Sequence, residues 1–312
     1  MAAGSTRLLF SCCGRLRRGA ELTIVSTTSA SAIMPTVDCA VRNRIIFYFL
    51  TCAALSFLLV ISAPVNARAD GCIDNTQWID TNRPIQTTSA AVVPTGSLQI
   101  ENGAIWNVGQ GSKVIDGPET FVRLGVYHCF ELQFIAPNYF HTVQGSAPSG
   151  FSDSAISTEY QFGALPDRYQ LSLVTALGLP TGDKKIAGSG WNPYFQIPWQ
   201  LALIDSWSAS GMFSFVWYTS HSSENPTFEP TFAVGRSFAG NRGTATVEYA
   251  GLYDHQQPSQ IVDGYVQWRP NMYQQIDLES GFGLNRSSPD HFFGVGYSFR
   301  FDNVLKRLFG GH

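Results

Sequence analysis

Charge is scarce in this 312-residue chain: Asp, Glu, Lys and Arg together make up 14% of it, where a soluble domain carries about 25%. The deficit is not filled by an excess of apolar residues, because the mean hydropathy is −0.01. A bundle of apolar helices is therefore excluded. Beyond residue 61 no apolar run approaches the length of a helical membrane span. Beyond residue 69 there are 13 Lys and Arg against 21 Asp and Glu, with no basic stripe, which argues against nucleic acid as a partner. The six cysteines, at 12, 13, 39, 52, 72 and 129, form no C-x-x-C pair of a metal or redox site. The histidines in predicted connections, His141, His221, His255 and His291, share no ligand spacing, so neither a metal nor another cofactor is expected.

What is abundant is Gly (29), Phe (22), Tyr (12) and Trp (7). Few charges, many aromatics and middling hydropathy suit strands with one face on lipid and the other on a polar lumen. The stretch FFGVGYSFRF at 292–301 shows the pattern. Phe293, Val295, Tyr297, Phe299 and Phe301 alternate with Gly294, Gly296, Ser298 and Arg300, a period of two.

Twelve such segments can be read, at about 97–106, 120–127, 129–136, 153–162, 168–178, 193–204, 207–218, 227–238, 243–253, 261–268, 272–284 and 291–302. Long connections at 107–119, 137–152, 179–192, 219–226, 254–260 and 285–290 alternate with short ones. The prediction is an all-β fold, a single antiparallel transmembrane β-barrel of about 12 strands, with long loops outside and tight turns in the periplasm. A soluble sandwich would carry more charge and more Lys opposite its apolar face. Trp106, Trp191 and Trp217 fall at outer strand ends and Trp207 and Trp268 at inner ends, as two aromatic girdles would require. Pro198 and Pro230 fall inside strands, and bulges or misplaced bounds are expected there.

The face opposite the apolar one collects Glu101, Glu131, Glu159, Glu229, Glu248, Asp263, Asp277 and Glu279, with Gln161, Arg123 and Arg300. These are the expected lumen-lining residues. Eight acids against two Arg predict a negative interior that prefers cations, unless ion pairs with Arg123 and Arg300 plug it.

Ahead of the barrel, the apolar run 45–61 follows Arg42 and Arg44 and precedes Ala67 and Ala69 in an A-x-A pattern. This is a secretory signal with cleavage expected after Ala69; an uncleaved anchor is the other reading. Residues 1–33 are rich in Arg and Ser, as an organelle presequence would be, but an upstream start with Met34 as the true beginning is preferred. The domain plan is a leader and signal at 1–69, a periplasmic segment at 70–96, the barrel at 97–302 and a tail at 303–312. Cys72 and Cys129 alone lie beyond the signal; one disulfide and two free thiols both remain open.

Three motifs carry a resemblance: VPTGSLQIENG at 93–103, ALGLPTGDKK at 176–185 and GVGYSFRFD at 294–302. With them the chain resembles an outer-membrane family labelled as transporters or as meta-pathway phenol-degradation proteins. The resemblance implies a channel or uptake barrel for small molecules, with aromatic or hydrophobic compounds as the candidates, in the bacterial outer membrane. Its surroundings would be outer-membrane lipids and lipopolysaccharide. Gly296, Phe299 and Phe301 resemble the terminal signal read by barrel-assembly machinery, although residues 303–312 follow them. TGD with Lys184 and Lys185 reads as an outer loop able to contact anionic headgroups. An enzyme reading rests on His221 and Ser223, an H-x-S pair similar to that of outer-membrane lipid hydrolases, where His would act as base for the Ser hydroxyl. No third, orienting residue is found on the neighbouring strand, so a polar loop is the plainer interpretation. A non-conducting structural barrel is the remaining alternative.

Overall fold

In a computed structural model, residues 72, 77–84, 86–162, 168–187, 190–219, 226–254 and 258–309 are described. They form fifteen strand segments in one antiparallel sheet that closes on itself. The first seven are β1 (Leu98–Gly109), β2 (Ser112–Gly117), β3 (Phe121–Tyr127), β4 (Phe130–Ile135), β5 (Tyr139–Gln144), β6 (Gly150–Phe151) and β7 (Ser154–Gln161). The rest are β8 (Tyr169–Leu179), β9 (Asn192–Ala202), β10 (Trp207–Val216), β11 (Thr227–Phe238), β12 (Gly243–Leu252), β13 (Ser259–Asn271), β14 (Gln274–Gly283) and β15 (His291–Phe301). Closure is made by β15 on β1, in register from Leu98 opposite Phe301 to Val108 opposite His291.

Segments β2 and β3, β4 and β5, and β6 and β7 are halves of three interrupted strands, so the wall has twelve positions. β1 pairs through its first residues with β3 and through its last with β2, while β2 pairs onward with β5 and β5 with β6. The breaks at 118–120, 136–138 and 152–153 sit side by side. The Ala136 N–H donates to the Thr120 carbonyl at 3.0 Å and the Ser152 N–H to the Asn138 carbonyl at 2.8 Å. This corrects two predicted outer loops. Stretch 107–119 is mostly strand around a tight turn at Gln110 and Gly111, both at positive φ (51° and 75°), the geometry of a primed hairpin turn. Stretch 137–152 likewise holds β5 and β6. Pro118 and Pro137 read as loop punctuation, but here they break strands without ending the wall.

The prolines inside strands do not make bulges. β9 keeps one register with β8 on both sides of Pro198, and only the pairs beside it are missing. β11 pairs with β10 straight through Pro230; its partnership with β12 starts at Thr231, with one isolated bridge at Phe228. An antiparallel residue bonds to one neighbour only, so each proline opens the ladder on a single side.

Burial alternates along most of the strands and decides which face is which. On β14, Leu278 is 51% exposed while Asp277 and Glu279 beside it are 1% and 2% exposed. The apolar face points out of the barrel and the acids point in, the reverse of a soluble protein. Outward aromatics pack in rows, such as Phe195 on Phe215 with ring centroids 4.9 Å apart.

The lumen is filled by the chain's own N-terminal segment. The region 70–96 was expected to lie free in the periplasm; instead residues 79–84 and 86–94 are almost all buried and bonded to inward side chains. The segment enters at the end that carries the short turns, where the Ile79 N–H donates to the Met272 carbonyl at 2.8 Å. From there it reaches Glu248 with Gln86 and Thr87, comes back past Gln161 and Glu131 with Val92 and Val93, and leaves to begin β1. A Cys72–Cys129 disulfide ties the chain ahead of this plug to the turn between β3 and β4, which resolves the two readings of that pair. A short helix, α1 (Val304–Phe309), follows the closing strand, its Leu305 N–H reaching the Gly96 carbonyl at 3.2 Å.

Candidate functional site: the plugged lumen

The described residues of the plug have no regular secondary structure, so their buried N–H groups have no ladder to satisfy them. Inward side chains of the barrel supply the acceptors. Glu101 on β1 takes the N–H groups of Asn82 and Arg83 at 2.9 and 3.1 Å. Glu248 on β12, across the lumen, takes those of Gln86 and Thr87 at 2.8 and 2.9 Å. Glu131 on β4 takes that of Val93 at 2.6 Å, and Gln161 on β7 that of Val92 at 3.2 Å. Within the plug, the Ser89 N–H donates to Asn82 at 2.8 Å. Charged acceptors make these bonds stronger than neutral ones would.

Two arginines offset the acids. Arg123 on β3, fully buried, places its guanidinium 2.8 Å from Glu131, 3.6 Å from Glu101 and 3.9 Å from Glu159. It also donates to the plug carbonyls of Ala91 and Asp80 at 2.6 and 3.2 Å. The plug's own Arg83 lies against Glu119, 3.5 Å from Asp277 and 3.2 Å from the Val295 carbonyl. Glycines make room for it. A Cβ at Gly103 would run into the Arg83 guanidinium, and one at Gly296 would stand 2.6 Å from its Nε.

The other predicted residues are placed as follows. Glu159 accepts from Ser172 and Gln133 at 2.6 and 2.8 Å. Glu229 meets the Tyr218 hydroxyl at 3.2 Å. Asp263 on β13 stands opposite Glu248, and Glu279 opposite Tyr265. Arg300 lies apart from this group; at the turn end it pairs with Asp302 at 2.8 Å and the Gln77 carbonyl at 3.0 Å. The picture of a ring of free carboxylates is thus corrected. Glu101, Glu131 and Glu248 are occupied as acceptors, and Arg83, not Arg300, is the second counter-charge. Phe299 and Phe301 stack edge to face at 5.3 Å on the closing strand. Glu119 and Arg83 escaped the sequence reading because neither lies on an alternating strand. Gln99, Gln133 and Gln275 had the right parity but carry no charge to draw notice.

His221, Ser223 and His255 lie outside the described residues. His141 and His291 are exposed near the loop end of β5 and β15. The TGD motif has a local part: Asp183 accepts the Phe151 N–H at 2.8 Å and Thr181 the Ser154 N–H at 2.9 Å, spanning the break between β6 and β7.

The lumen is layered. Toward the long connections, inward apolar residues form clusters: Ile105, Ala250, Ile261 and Phe292 in one, Ala176, Tyr194 and Val216 in another. The plug and its ionic partners occupy the middle. Toward the short turns, between the plug and the wall from β9 to β13, lies a cavity of about 540 Å³.

The family described as "Putative MetA-pathway of phenol degradation" matches residues 81–301, from the plug to the last barrel strand. The chain belongs to that family. The match includes the segment that fills the lumen as well as the wall. An outer-membrane channel from Pseudomonas putida F1 has the same fold, with a TM-score of 0.58 at 11% identity over 70% of this chain and 100% of that one. The KdgM porin aligns with a TM-score of 0.46 at 11% identity, over 66% of this chain and 99% of that one. No curated protein matches the chain in sequence. Family membership and barrel are thereby shown; the substrate is not.

Proposed function

We propose that this chain is an outer-membrane channel for small molecules, closed at rest by its N-terminal plug and open only when the plug shifts. The observation that carries the reading is the way the plug is held. It is fixed mainly by side-chain acceptors and two arginines, and its described residues form no strand pairing with the wall, so it can move without breaking the barrel. A cavity already lies beside it. The family's description favours an aromatic compound as substrate, and the apolar clusters at the loop end suit such a ring. The loop end would face the outside and the turn end the periplasm, and lipids with lipopolysaccharide would surround the wall. Assembly would use Gly296, Phe299 and Phe301.

Export through a signal cleaved after Ala69 fits this reading. A disulfide such as Cys72–Cys129 persists in an oxidising compartment. N-terminal sequencing of the membrane-extracted protein should then begin at Asp70.

The test is conductance in a planar bilayer. The wild type should conduct little. Arg83→Ala, which removes a plug contact to Glu119 and Asp277, should raise the open fraction, with cations preferred because the freed acids outnumber Arg123. Liposomes carrying the variant should admit phenol faster than those carrying the wild type. If neither the wild type nor the variant passes ions or solute, the barrel is a structural one. Hydrolysis of a labelled phospholipid, lost on Ser223→Ala, would instead reveal the enzyme.

A further inference from the structure

The cavity beside the plug is not lined like the rest of the lumen. Much of its wall is a contiguous patch on β9 to β12, completed by Gln170 of β8, Tyr265, Gln267 and Arg269 of β13 and Trp78 of the plug, and the register shows how the patch is built. Ser210 faces Gln200, Ser208 faces Gly235, Gly235 faces Thr246, and Ser237 faces Thr244. No inward residue among these is larger than Thr except Gln200 at the edge. Small hydroxyl residues here leave open the space that Glu, Gln and Arg fill on the opposite wall. Gly235 is necessary to this. A Cβ there would stand 2.7 Å from the Thr246 hydroxyl and 3.4 Å from that of Ser208, closing the floor of the cavity.

The hydrogen-bonding groups are also unspent. Among the described residues, Ser208, Ser210, Ser237 and Gln200 have no side-chain hydrogen bond to protein. On the wall opposite Asp80 of the plug, Arg269 of β13 is held by neutral acceptors: the Ile79 carbonyl at 3.0 Å, Thr244 at 3.2 Å, the Asn241 carbonyl at 3.3 Å and Gln267 at 3.4 Å. One acid and one base line the cavity, so its formal charge balances.

We infer that this cavity is a binding site for a small uncharged molecule bearing several hydroxyl groups, a polyol or monosaccharide. Serine and threonine hydroxyls both donate and accept, as ligand hydroxyls do, so each contact is satisfied in either sense. A bare aromatic ring would strip water from these groups and return no hydrogen bond, at the usual penalty for burying unpaired polar atoms. An anion would be drawn to Arg269 and repelled by Asp80; a cation would meet the reverse. The volume, about 540 Å³, lies within the roughly 300–1,000 Å³ of small-molecule sites. The polyol is a second ligand beside the aromatic solute of the channel reading, and the inference rests on that reading only for the route by which the polyol arrives.

The test is calorimetric titration of the full-length, detergent-solubilised protein with myo-inositol and, separately, with phenol. Saturable binding of myo-inositol is expected, with weaker or no binding of phenol. Gly235→Val should weaken the polyol at least tenfold while leaving any phenol heat unchanged. If Gly235→Val fails to fold, as judged by far-ultraviolet circular dichroism, the pair Ser208→Ala with Ser210→Ala decides, with the same loss expected. No saturable myo-inositol binding, binding indifferent to these substitutions, or phenol competing equally for the site would each overturn the inference. Conductance is read separately. Flux without polyol binding sinks only the site, and binding without flux sinks only the channel.

Discussion

Two parts of the inner wall solve opposite problems. On β14, β1, β3, β4 and β7 most inward residues beside the plug are long, charged or amide-bearing, with glycines of β1 and β15 leaving room for Arg83, and they grip an irregular segment of backbone. At the turn end of β9 to β12 they are mostly Ser, Thr and Gly, and they do not bond to the plug. The first region spends charge to immobilise: Glu101, Glu131 and Glu159 converge on Arg123, and the plug's N–H groups take up acceptor capacity of Glu101 and Glu131. The second withholds volume and charge and so keeps a space. Glu248, with Thr231 of β11 and Gln196 of β9 bonded to Thr87 and Thr88, marks the boundary. It sits on β12 but reaches over to hold the tip of the plug at Gln86 and Thr87. In a low-dielectric lumen a charge is costly unless paired, so a barrel that must be both plugged and partly open is best served by separating the two kinds of surface.

The largest effect expected from breaking this contrast is at Arg123. Arg123→Met leaves three buried carboxylates without their shared cation, which should cost about 3–5 kcal/mol. Arg269→Met, on the other wall, removes bonds to neutral acceptors and an attraction to Asp80 alone, and should cost clearly less. Urea unfolding of the two variants in the same detergent checks this. Equal losses would mean that the walls do not differ in kind.

The next effect concerns the two faces of the wall. Leu278→Arg puts a charge on the lipid side and should cost about 2–4 kcal/mol near the bilayer midplane. Ser210→Arg turns the same charge into the cavity and should be far milder. Folding yield into liposomes as a function of urea reads both. A smaller step is Glu248→Gln. Hydrogen bonds to a charged group are worth about 1.5–3 kcal/mol and neutral ones about 0.5–1.5, so the tip of the plug should lose roughly 1–2 kcal/mol. Hydrogen exchange at the Gln86 and Thr87 amides should quicken by about tenfold, with little change at Asn82. Uniform quickening along the plug would show that the two anchor points are not independent.

Much of this architecture was legible beforehand, and the failures have physical causes. Parity worked because lipid and lumen impose opposite demands on successive residues; Leu278 between Asp277 and Glu279 is a direct readout. The twelve wall positions followed from it. The breaks did not, since Pro118 and Pro137 give the same signal whether they end a strand or bend it. The plug was illegible because its contacts have no period. Residues 79–94 mix Thr, Asn, Ser and small apolar residues, and nothing in that order says that Glu101 and Glu248, far apart in sequence, will accept their N–H groups. The acids were seen, but their role was mistaken: a carboxylate facing a lumen looks the same whether it awaits a cation or an amide. Arg83 could have been suspected as the one base between residue 70 and the first strand. The cavity depends on what is missing, and small residues leave little trace in a pattern search.

The smallest effect is expected where the walls differ most. Ser210→Ala and Ser237→Ala each delete a hydroxyl that bonds to no protein group, so neither leaves a buried partner stranded. Substitutions of this kind fall within about 0.5 kcal/mol, and urea midpoints should barely move. The matching change, Ser172→Ala on β8 where it borders the gripping wall, removes a donor 2.6 Å from the buried carboxylate of Glu159. It should cost about 1–3 kcal/mol, because the acceptor loses its partner without regaining water. The pair is a controlled comparison: same residue type, same inward face, same substitution. A silent Ser210→Ala with a costly Ser172→Ala would mean that the hydroxyls of the second wall are held for something other than stability. If instead Ser210→Ala destabilises the barrel as much as Ser172→Ala, those hydroxyls belong to the fold, and the division of the lumen into a holding wall and an open one fails at its weakest point.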